Sequence, residues 1–577
     1  MKYLNPYIYI LLSAVIISGL FWYHNSFTKF HSKRKFEDFF CFTYSPDIIE
    51  KGWLFTNNNA RINITDPKNI NWNISDDNFR SLNFYIQCLR PAAQLISNYE
   101  FTKDEKYFIY AKNICVEWAR LHPYKDKDKH SKFAWYDMAV GLRSINLAYV
   151  IDIGERENLI SKEEYDLLYN ALIENLEWLM DDENITFSSN HGFYQIVSQI
   201  IVGKSFYYKD KIFQRTYKIG KKRLNKIIKR QIFNEGIHKE NSPEYHFIVC
   251  ELMQSLNKKG ILNYKQRLLS NRLNNNSYWF ILPNGKLLNF GDSNLSLVKK
   301  DIYDSNINRK EFKFFKKSAY FIVKTNTSYF AQHLGFVSRV HKHADDLSMF
   351  WYDLNQNILV DSGYYGYMGE TEKGSELRKR GFRYANPNRI YVEETRAHNT
   401  IEFNNESNYR DRQDRYKNAV KSLKRKDDNY IITSEVNLRG KILNRTVVFK
   451  PEKYLIVYDK FHSTKDGKIT NAKQWFQLDP DLNLIKKDNN YIIELKNNNK
   501  ITVKQLNTQI KETNLYKGQK EPQMQGWVSY AGGEIVPAYS FNYEIKDKNQ
   551  DYFLTTFEIN DNKIPIDLIE KIFKNKI

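Results

Sequence analysis

Histidine is rare in this 577-residue chain, which contains 12 of them, yet two stand one residue apart in "HKHADDLSMFWYDLNQNILVDSG". If that segment is extended, His341 and His343 share a strand face, because side chains alternate along a strand. Asp361 ends the following apolar run, and His398 precedes another β-forming run in "TRAHNTIEF". Two imidazoles and a carboxylate suit a divalent metal ion such as zinc. We therefore predict a metal site at His343, Asp361 and His398; hydrogen-bonded strand-end residues are the alternative.

Three further stretches place polar side chains at the boundaries of predicted elements. In "SSNHGFY", Asn190 and His191 precede an apolar helix, where simple helix capping is the alternative to a site. In "GIHKENSPEYH", Tyr245 and His246 stand at the start of a helix, and an ordinary loop is the alternative. The stretch "RYANPNRIYVEETRAHNT" carries Tyr384 among several arginines, where the alternative is a basic surface loop.

The first half of the chain has the periodicity of helices. We predict a capping box at Thr102 and Glu105 and a second at Ser161 and Glu164, each followed by apolar residues at helical spacing. The pattern indicates an all-α domain of stacked helix pairs. Further helices are predicted at 80–98, 137–153, 191–207, 211–231 and 243–256.

The second half of the chain changes to the pattern of short strands. Runs rich in β-branched and aromatic residues alternate with Asn- and Lys-rich turns, which is typical of an antiparallel sandwich. The predicted fold class is therefore α+β and multidomain, with helices at 36–305 and the sandwich at 306–577. Individual strands are predicted at 429–436, 491–495 and 501–506, with a pair around a turn at 445–461.

Net charge and cysteine content narrow the function classes. Lys plus Arg number 87 against 67 Asp plus Glu, a net charge of +20 that favours a polyanionic partner. The basic residues are spread along the chain and no nucleic-acid-binding module is recognisable, so nucleic acid is disfavoured. The four cysteines lack CxxC spacing, which excludes a zinc ribbon or a dense disulfide framework.

The N-terminus predicts a membrane segment. Residues 7–23, "YIYILLSAVIISGLFWY", are 17 consecutive uncharged residues, close to the shortest length that spans a bilayer. We predict an uncleaved signal anchor and linker at 1–35, which makes the membrane a partner of the protein. A cleaved signal peptide is the alternative.

Four stretches resemble the signature blocks of heparinase II/III-type polysaccharide lyases: "NHGFYQ", "GIHKENSPEYH", "HKHADDLSMFWYDLNQNILVDSGYYGY" and "YVEETRAHNT". They occur in the order found in that family, and the resemblance covers roughly residues 70–480. It implies an incomplete (α/α) toroid followed by an antiparallel β-sandwich. It also implies a lyase that cleaves a uronic-acid-containing acidic polysaccharide by β-elimination.

The resemblance assigns roles to several of the residues named above. Asn190 matches the asparagine that neutralises the substrate carboxylate, and His191 is its neighbour in the site. Tyr245 matches the catalytic tyrosine, and His341 matches a catalytic histidine near the cleaved bond. Tyr384 stands where some alginate lyases of the family have a second tyrosine.

The resemblance also implies a metal and a set of substrate contacts. The three predicted ligands match the family's metal triad, which orders the loops around the catalytic histidine, and no organic cofactor is implied. Trp135 and Arg143, from "WYDMAVGLR", are candidate substrate contacts, with a helix-surface role as the alternative. His246 is a third candidate.

Two other functions share this residue set. Removing the carbon-5 proton of a uronate and returning it to the opposite face is epimerisation, which needs much the same groups as elimination. A non-catalytic protein that binds acidic glycans is the second alternative. For the lyase, the predicted location is the cell envelope of a bacterium, anchored with its domains outside the cytoplasm, or secreted if the signal is cleaved. A homo-oligomer is also possible.

Overall fold

The computed structural model describes residues 44–55, 60–74, 79–298, 311–465, 467–488, 490–510, 512–560 and 562–574. The predicted signal anchor at 1–35 lies outside these residues, and so does the predicted domain boundary at 305–306. The chain divides into two compact units, the first ending at Arg230 and the second beginning at Gln231. Within the described ranges, no helix has both the length and the apolar composition needed to cross a membrane.

The first unit is built of helices, in agreement with the predicted helical half. Neighbouring helices pack side by side: α3 on α4, and α5 on both α6 and α7. The elements are α1 (Ile48–Lys51), β1 (Trp53–Phe55), β2 (Ala60–Ile62), α2 (Arg80–Gln87), α3 (Arg90–Thr102), α4 (Glu105–Leu121), α5 (Asp137–Arg156), α6 (Lys162–Met180), α7 (His191–Ser205) and α8 (Lys211–Gln231).

Of the two predicted capping boxes, one is present and one is not. The Ser161 and Glu164 capping box is present, and each side chain accepts a hydrogen bond from the other's backbone N–H. The box predicted at Thr102 is wrong, because Thr102 ends α3 and the side chain of Asp104 caps α4 by accepting from Lys106 N. Asp and Thr are both good caps, so the sequence alone does not decide between adjacent candidates.

The single helix predicted at 80–98 is two helices. α2 ends at Gln87, and α3 begins at Arg90 with a proline in its first turn. Between them, Leu89 adopts a left-handed backbone with φ 56°. Proline lacks a backbone N–H and is therefore tolerated in the first turn of a helix but not in its interior, so Pro91 accounts for a new start.

The second unit contains both helices and antiparallel sheets. Its helices are α9 (Pro243–Lys258), α10 (Tyr264–Ser277), α11 (Glu376–Arg380), α12 (Pro387–Glu393) and α13 (Ile566–Phe573). Its strands are β3 (Phe312–Phe315), β4 (Tyr320–Lys324), β5 (Tyr329–His333), β6 (Met349–Asp353), β7 (Gln356–Leu359), β8 (Ile401–Phe403), β9 (Val420–Lys426), β10 (Asn429–Leu438), β11 (Lys441–Lys450), β12 (Tyr454–Ser463), β13 (Asn471–Gln477), β14 (Asn483–Lys487), β15 (Asn490–Glu494), β16 (Lys500–Gln505), β17 (Glu512–Lys517), β18 (Trp527–Val528), β19 (Val536–Pro537), β20 (Tyr539–Lys546) and β21 (Gln550–Ile559).

The sheets share one apolar core, as a sandwich requires. An eight-stranded sheet runs β14-β15-β16-β21-β12-β11-β10-β9, a four-stranded sheet β17-β20-β13-β8, and a five-stranded sheet β3-β4-β5-β6-β7. Side chains from all three sheets meet in this core, among them Phe330, Val447 and Phe541. The predicted pair at 445–461 is β11 and β12, and the predicted fold class is confirmed: helices first, antiparallel sheets second.

A buried ion pair lies inside this sandwich. Arg445 on β11 donates from Nε and Nη2 to the two carboxylate oxygens of Asp459 on β12, at 2.6 and 2.7 Å, and both side chains are fully buried. The remaining nitrogen of Arg445 donates to the carbonyls of Leu347 and Asn399, at 2.8 and 2.6 Å. The pair therefore fixes two loop segments on the sheet, one after His343 and one after His398.

We expect Asp459→Asn to lower the free energy of unfolding by about 3–5 kcal/mol, because it leaves a buried guanidinium without its counter-charge. Urea unfolding measures the change. The control is Asp166→Asn, which breaks a two-bond pair with Lys162 at the surface. That control should cost no more than about 1 kcal/mol, and equal losses in the two variants would contradict the prediction.

Candidate active site

Tyr245 and His341 are stacked face to face in the second unit. Tyr245 lies in the first turn of α9, where Ser242 caps the helix by accepting from the Tyr245 N–H at 3.3 Å. Its ring lies 3.5 Å from the His341 ring, centroid to centroid, at an interplanar angle of 15°. The structure therefore brings together two of the residues that were predicted to be catalytic.

The segment that carries the two histidines is a turn and not a strand, so the predicted shared face is wrong. His341 has a left-handed backbone, φ 55°, and its Nδ1 lies 3.2 Å from Oε2 of Glu240. His343 is fully buried and directs Nε2 at Asp292, 2.8 Å away. The positive φ breaks the alternation of side chains, and each imidazole has its own carboxylate.

A close approach of backbones holds this turn in place. Asn241 donates from Nδ2 to the carbonyls of Ser338 and Val340, at 2.6 and 2.8 Å. Gly291 lies against both segments with φ 56°, and a Cβ there would be 2.5 Å from the His341 carbonyl oxygen and 2.6 Å from that of Asn241. Only glycine fits this position, both for space and for its backbone conformation.

A chain of hydrogen bonds leads from Tyr245 to His343. The hydroxyls of Tyr245 and Tyr367 are 3.0 Å apart, and Tyr367 donates to Asp292 at 2.9 Å. Burial raises the pKa of Asp292, but Arg389 at 2.7 Å and His343 outweigh it, so this pKa lies below its ordinary value. Asp292 is therefore an ionised carboxylate, bonded to three donors.

The charge of Asp292 sets the direction of the bond between the two tyrosines. Burial, together with that negative charge, raises the pKa of Tyr367 well above its ordinary value, so Tyr367 keeps its proton. Its single hydrogen goes to Asp292, because an ionised carboxylate only accepts. The oxygen of Tyr367 therefore accepts from Tyr245, whose hydroxyl is the donor in this bond.

Tyr384 lies one ring further from Tyr245. Its ring centroid is 4.8 Å from that of Tyr367, and Arg389 lies 5.6 Å from its ring centre. The hydroxyl that contacts Tyr245 belongs to Tyr367, which the sequence reasoning did not single out. Tyr384 is thus in the same aromatic group, and its predicted role stays a prediction.

The three predicted metal ligands are buried together. His343, Asp361 and His398 each offer a ligand atom within 4.8 Å of the others. His398 Nδ1 lies 3.0 Å from Oδ2 of Asp361, close to the about 3.3 Å that separates two ligands of a tetrahedral zinc ion. Among the described residues, the buried Nδ1 of His343 has no hydrogen-bond partner. Such atoms cost free energy unless something binds them, so the donor set fits a cation.

A second set of possible metal ligands lies beside the first, but arginine side chains already neutralise it. Asp292, His343 and Glu393 are equally close to one another, but Arg389 bonds to both carboxylates. Arg410 donates to Glu393 as well, at 2.6 Å. The guanidinium groups neutralise this group, which leaves the first set as the better place for a metal ion.

The residues predicted at 190–191 lie in the first unit. Asn190 is buried at the start of α7 and makes no capping hydrogen bond, so simple capping does not account for it. His191 is one-third exposed, and its Nδ1 lies 2.5 Å from Oδ2 of Asp137. Oδ1 of Asp137 accepts from Thr186 at 2.9 Å, so the carboxylate orients the imidazole.

Arg143 has a structural position that corrects its predicted role. It is fully buried and donates to the carbonyls of Gln87 and Ala134, at 2.7 and 2.8 Å, and to Asn175 Oδ1 at 3.1 Å. Its guanidinium also lies 3.8 Å from the centre of the Trp118 ring. Direct contact with a polysaccharide is inconsistent with this enclosure.

Trp135 and His246 are also poor candidates for direct contact. Trp135 is half-buried, and its Nε1 donates to the His122 carbonyl at 3.3 Å, whereas the neighbouring Tyr136 is 45% exposed. His246 is buried between the backbone N–H of His238 and the Ser277 hydroxyl. Burial lowers the pKa of His246 to about 3, so it is a neutral packing residue.

Several residues of the site escaped the sequence reasoning. Asp292, Tyr367 and Arg389 had no assigned role, although Tyr367 is the last residue of a signature block that ends in "GYYGY". Glu240 lies within the block "GIHKENSPEYH" and also had no assigned role. Asp292 stands in "FGDSN", where an acid inside an apolar stretch was the available signal.

We expect Asp292→Asn to destabilise the second unit by about 3 kcal/mol, since Arg389 loses a buried counter-charge. Tyr367→Phe should cost only about 1–2 kcal/mol, the loss of a hydrogen bond to a charged group. Urea unfolding of both variants tests this order. A larger loss in Tyr367→Phe would contradict the central position of Asp292.

Comparisons with known families identify the family of the chain. The model described as "Heparinase II/III N-terminus" matches residues 45–322, and the one described as "Heparinase II/III-like, C-terminal" matches residues 307–537. Together they cover most of the chain. A search of curated protein sequences finds no significant match.

Solved structures share the fold at low sequence identity. A heparan sulfate lyase from Pedobacter heparinus is 16% identical, with 93% of this chain and 88% of that chain covered and a TM-score of 0.63. A heparinase III is 14% identical over 92% and 84%, with a TM-score of 0.69. A chondroitinase AC lyase is 8% identical over 93% and 84%, with a TM-score of 0.51. With both family models matched, the chain belongs to the heparinase II/III-like family of polysaccharide lyases.

Proposed function

We propose that this lyase cleaves a uronic-acid-containing acidic polysaccharide by β-elimination, with His341 and Tyr245 as the groups that move protons. The stacked pair carries the proposal: an imidazole and a phenol are in van der Waals contact, with the Glu240 carboxylate 3.2 Å from the imidazole and the Tyr367 hydroxyl hydrogen-bonded to the phenol. Glycosaminoglycans are the proposed substrate class, because the similar structures include a heparan sulfate lyase and a chondroitinase AC lyase. The net charge of +20 favours such a polyanion.

The reaction needs a base, an acid and a neutralised carboxylate. The base takes the proton from carbon 5, and the electron pair of that bond forms the double bond between carbons 4 and 5. The bond from carbon 4 to the bridging oxygen breaks, and the departing oxygen receives a proton. Negative charge builds on the uronate carboxylate as the carbon-5 proton leaves, so a donor that meets it lowers the barrier.

His341 suits the role of base. The carboxylate of Glu240 lies beside Nδ1 and favours a proton on that nitrogen. The other ring nitrogen, Nε2, then carries the lone pair that accepts the proton from carbon 5. Glu240 acts through His341 as a positioning residue, since it sets the tautomer and the orientation of the ring.

Tyr245 suits the role of acid. Its hydroxyl carries a proton in the resting state, because the oxygen of Tyr367 accepts from it. A phenol that holds its proton next to the base can pass it to the departing sugar oxygen. The stacked geometry keeps acid and base within one substrate linkage of each other.

Asn190 and His191 are proposed to neutralise the uronate carboxylate, on the strength of the family resemblance. Asn190 makes no capping bond, and Asp137 holds His191 in one orientation. An amide N–H, and an imidazolium that Asp137 would stabilise, are both donors that suit a carboxylate.

We also propose a divalent cation, zinc in the first place, held by His343, Asp361 and His398. When bound, it would supply charge and fixed ligand directions that order the surrounding loops. Asp292, which bonds to His343, would then act as an outer carboxylate that orients a ligand. Because His341 is two residues from His343, an ordered ligand also fixes the base.

The location of the protein is proposed from the N-terminal segment. Residues 7–23 would anchor it in the cell envelope of a bacterium, with the lyase outside the cytoplasm where acidic glycans occur. A homo-oligomer stays a prediction.

We expect a near-ultraviolet absorbance rise when the protein is incubated with a panel of uronate polysaccharides, because elimination leaves an unsaturated uronate. His341→Ala and Tyr245→Phe should each lower kcat by about 10²- to 10⁴-fold. A substrate with a more acidic leaving group at carbon 4 should restore activity to Tyr245→Phe but not to His341→Ala.

A second stacked pair in the same unit is the matched control. Tyr320 and His333 stack at 4.2 Å, so Tyr320→Phe and His333→Ala remove the same groups elsewhere. Full activity in His341→Ala would refute its role as base. Deuterium exchange at carbon 5 without an absorbance rise would favour the epimerase, and binding without either would favour a non-catalytic protein.

We expect the purified protein to contain about one equivalent of a divalent metal and to melt at a lower temperature after chelation, because a bound ion stabilises the folded state. His398→Ala should lose the metal, and His333→Ala, which removes a buried histidine outside the set, should retain it. Elemental analysis and calorimetry measure both. A metal-free wild-type protein whose melting point does not respond to zinc would refute the site.

A further inference from the structure

We propose that the exposed face of α8 is a second binding surface for the acidic polysaccharide, separate from the residues of the reaction centre. The identity of the polyanion rests on the proposed function. The surface itself rests on the charge, the spacing and the groove of one helix.

The charge of α8 is entirely of one sign. Residues 211–231 contain nine basic residues and no acidic residue. Six of the nine recur three or four residues apart and are exposed, so they form one line along the helix: Lys211, Arg215, Lys218, Lys222, Lys226 and Lys229. At 1.5 Å per residue, this line is about 27 Å long with a charge about every 5 Å.

The opposite side of α8 is used for packing. Phe213, Leu224, Ile227 and Ile228 are buried, so the apolar stripe faces the interior of the unit. The basic line is therefore the solvent face of a docked helix.

Little protein charge balances this face. Asp182 contacts Arg223 at 2.6 Å and Lys226 at 3.6 Å. Over the described ranges, no carboxylate lies within 4.0 Å of the charged groups of Lys218 or Lys222. The same holds for Lys211 and Arg215, which precede them in the line. Like charges three or four residues apart repel each other and destabilise a helix. A bound polyanion would relieve this repulsion.

A groove runs beside the basic line. It has a volume of about 580 Å³, within the range of ligand sites, and is lined by α8 together with the end of α6. Lys226, which lines the groove, has its Nζ 4.0 Å from the centre of the Phe187 ring. The lining residues include Met180, Asp182, Lys222, Lys226 and Lys229.

The chemistry of the face favours a glycan over other polyanions. A single strand of nucleic acid needs exposed aromatic rings for base stacking, but within α8 Phe213 is buried and Tyr217 is half-buried. An anionic lipid surface is met by a helix that inserts apolar side chains, and α8 buries its own. Five lysines and one arginine in a line suit carboxylates or sulfates spaced along a linear chain.

The test compares two triple variants that lose the same charge. The line variant is Lys218→Gln/Lys222→Gln/Lys226→Gln. The control variant is Lys424→Gln/Lys426→Gln/Lys487→Gln, which replaces exposed lysines on strands of the second unit. Binding of long heparan sulfate chains is measured on Tyr245→Phe protein, in which turnover should be slow. The line variant should bind roughly tenfold more weakly, with a shallower dependence on salt, since fewer counterions are released.

Kinetics and a competing probe complete the test. With active protein, the line variant should show a raised KM for long chains and unchanged turnover of a tetrasaccharide. Equal binding of the glycan by both triple variants would overturn the proposal. Tighter binding of a DNA duplex than of the glycan at the basic line of α8 would also overturn it. If no uronate glycan is cleaved by wild type but only the line variant loses binding, the proposed reaction fails and the surface stands.

Discussion

Arg445 and Asp459 form the ion pair on which the candidate site depends. Both are fully buried, and the guanidinium reaches beyond its partner to the carbonyls of Leu347 and Asn399. Asn399 in turn donates to the carbonyl of Val360, the residue before Asp361. Each predicted metal ligand therefore has a backbone segment, adjacent to it or a few residues away, that is connected by hydrogen bonds to the Arg445 guanidinium. A buried pair adds little net stability, so its use here is to specify one arrangement of loops.

The reacting pair and the predicted metal ligands are joined by a second network. Tyr245, Tyr367 and Asp292 form a hydrogen-bond chain that ends at His343, and Arg389 fixes the charge of Asp292. Because Asp292 is ionised, each hydroxyl in the chain has a defined donor direction. The position of the acid therefore depends on groups about 50 to 120 residues away in sequence.

The sequence predicted local structure well and long-range contacts poorly. Amphipathic spacing found α6 and its Ser161 cap, and strand patterns found β10 to β12, because those signals are carried by neighbouring residues. It did not find the break at Leu89, where the backbone turns left-handed. Family resemblance supplied Tyr245 and His341, but Asp292 and Tyr367 matter only through contacts that folding creates.

Burial separates residues that look equally functional in the sequence. Arg143 and His246 were both candidate substrate contacts, yet Arg143 is enclosed by backbone carbonyls and His246 is a neutral buried imidazole. His341, from a signature block, keeps a partly exposed ring beside a carboxylate. A polar residue in a motif of this kind can take part in the reaction, or it can hold the surrounding structure in place. In this chain the left-handed backbone at His341 separates the two roles, because it directs the His341 ring towards Tyr245 while His343 stays buried.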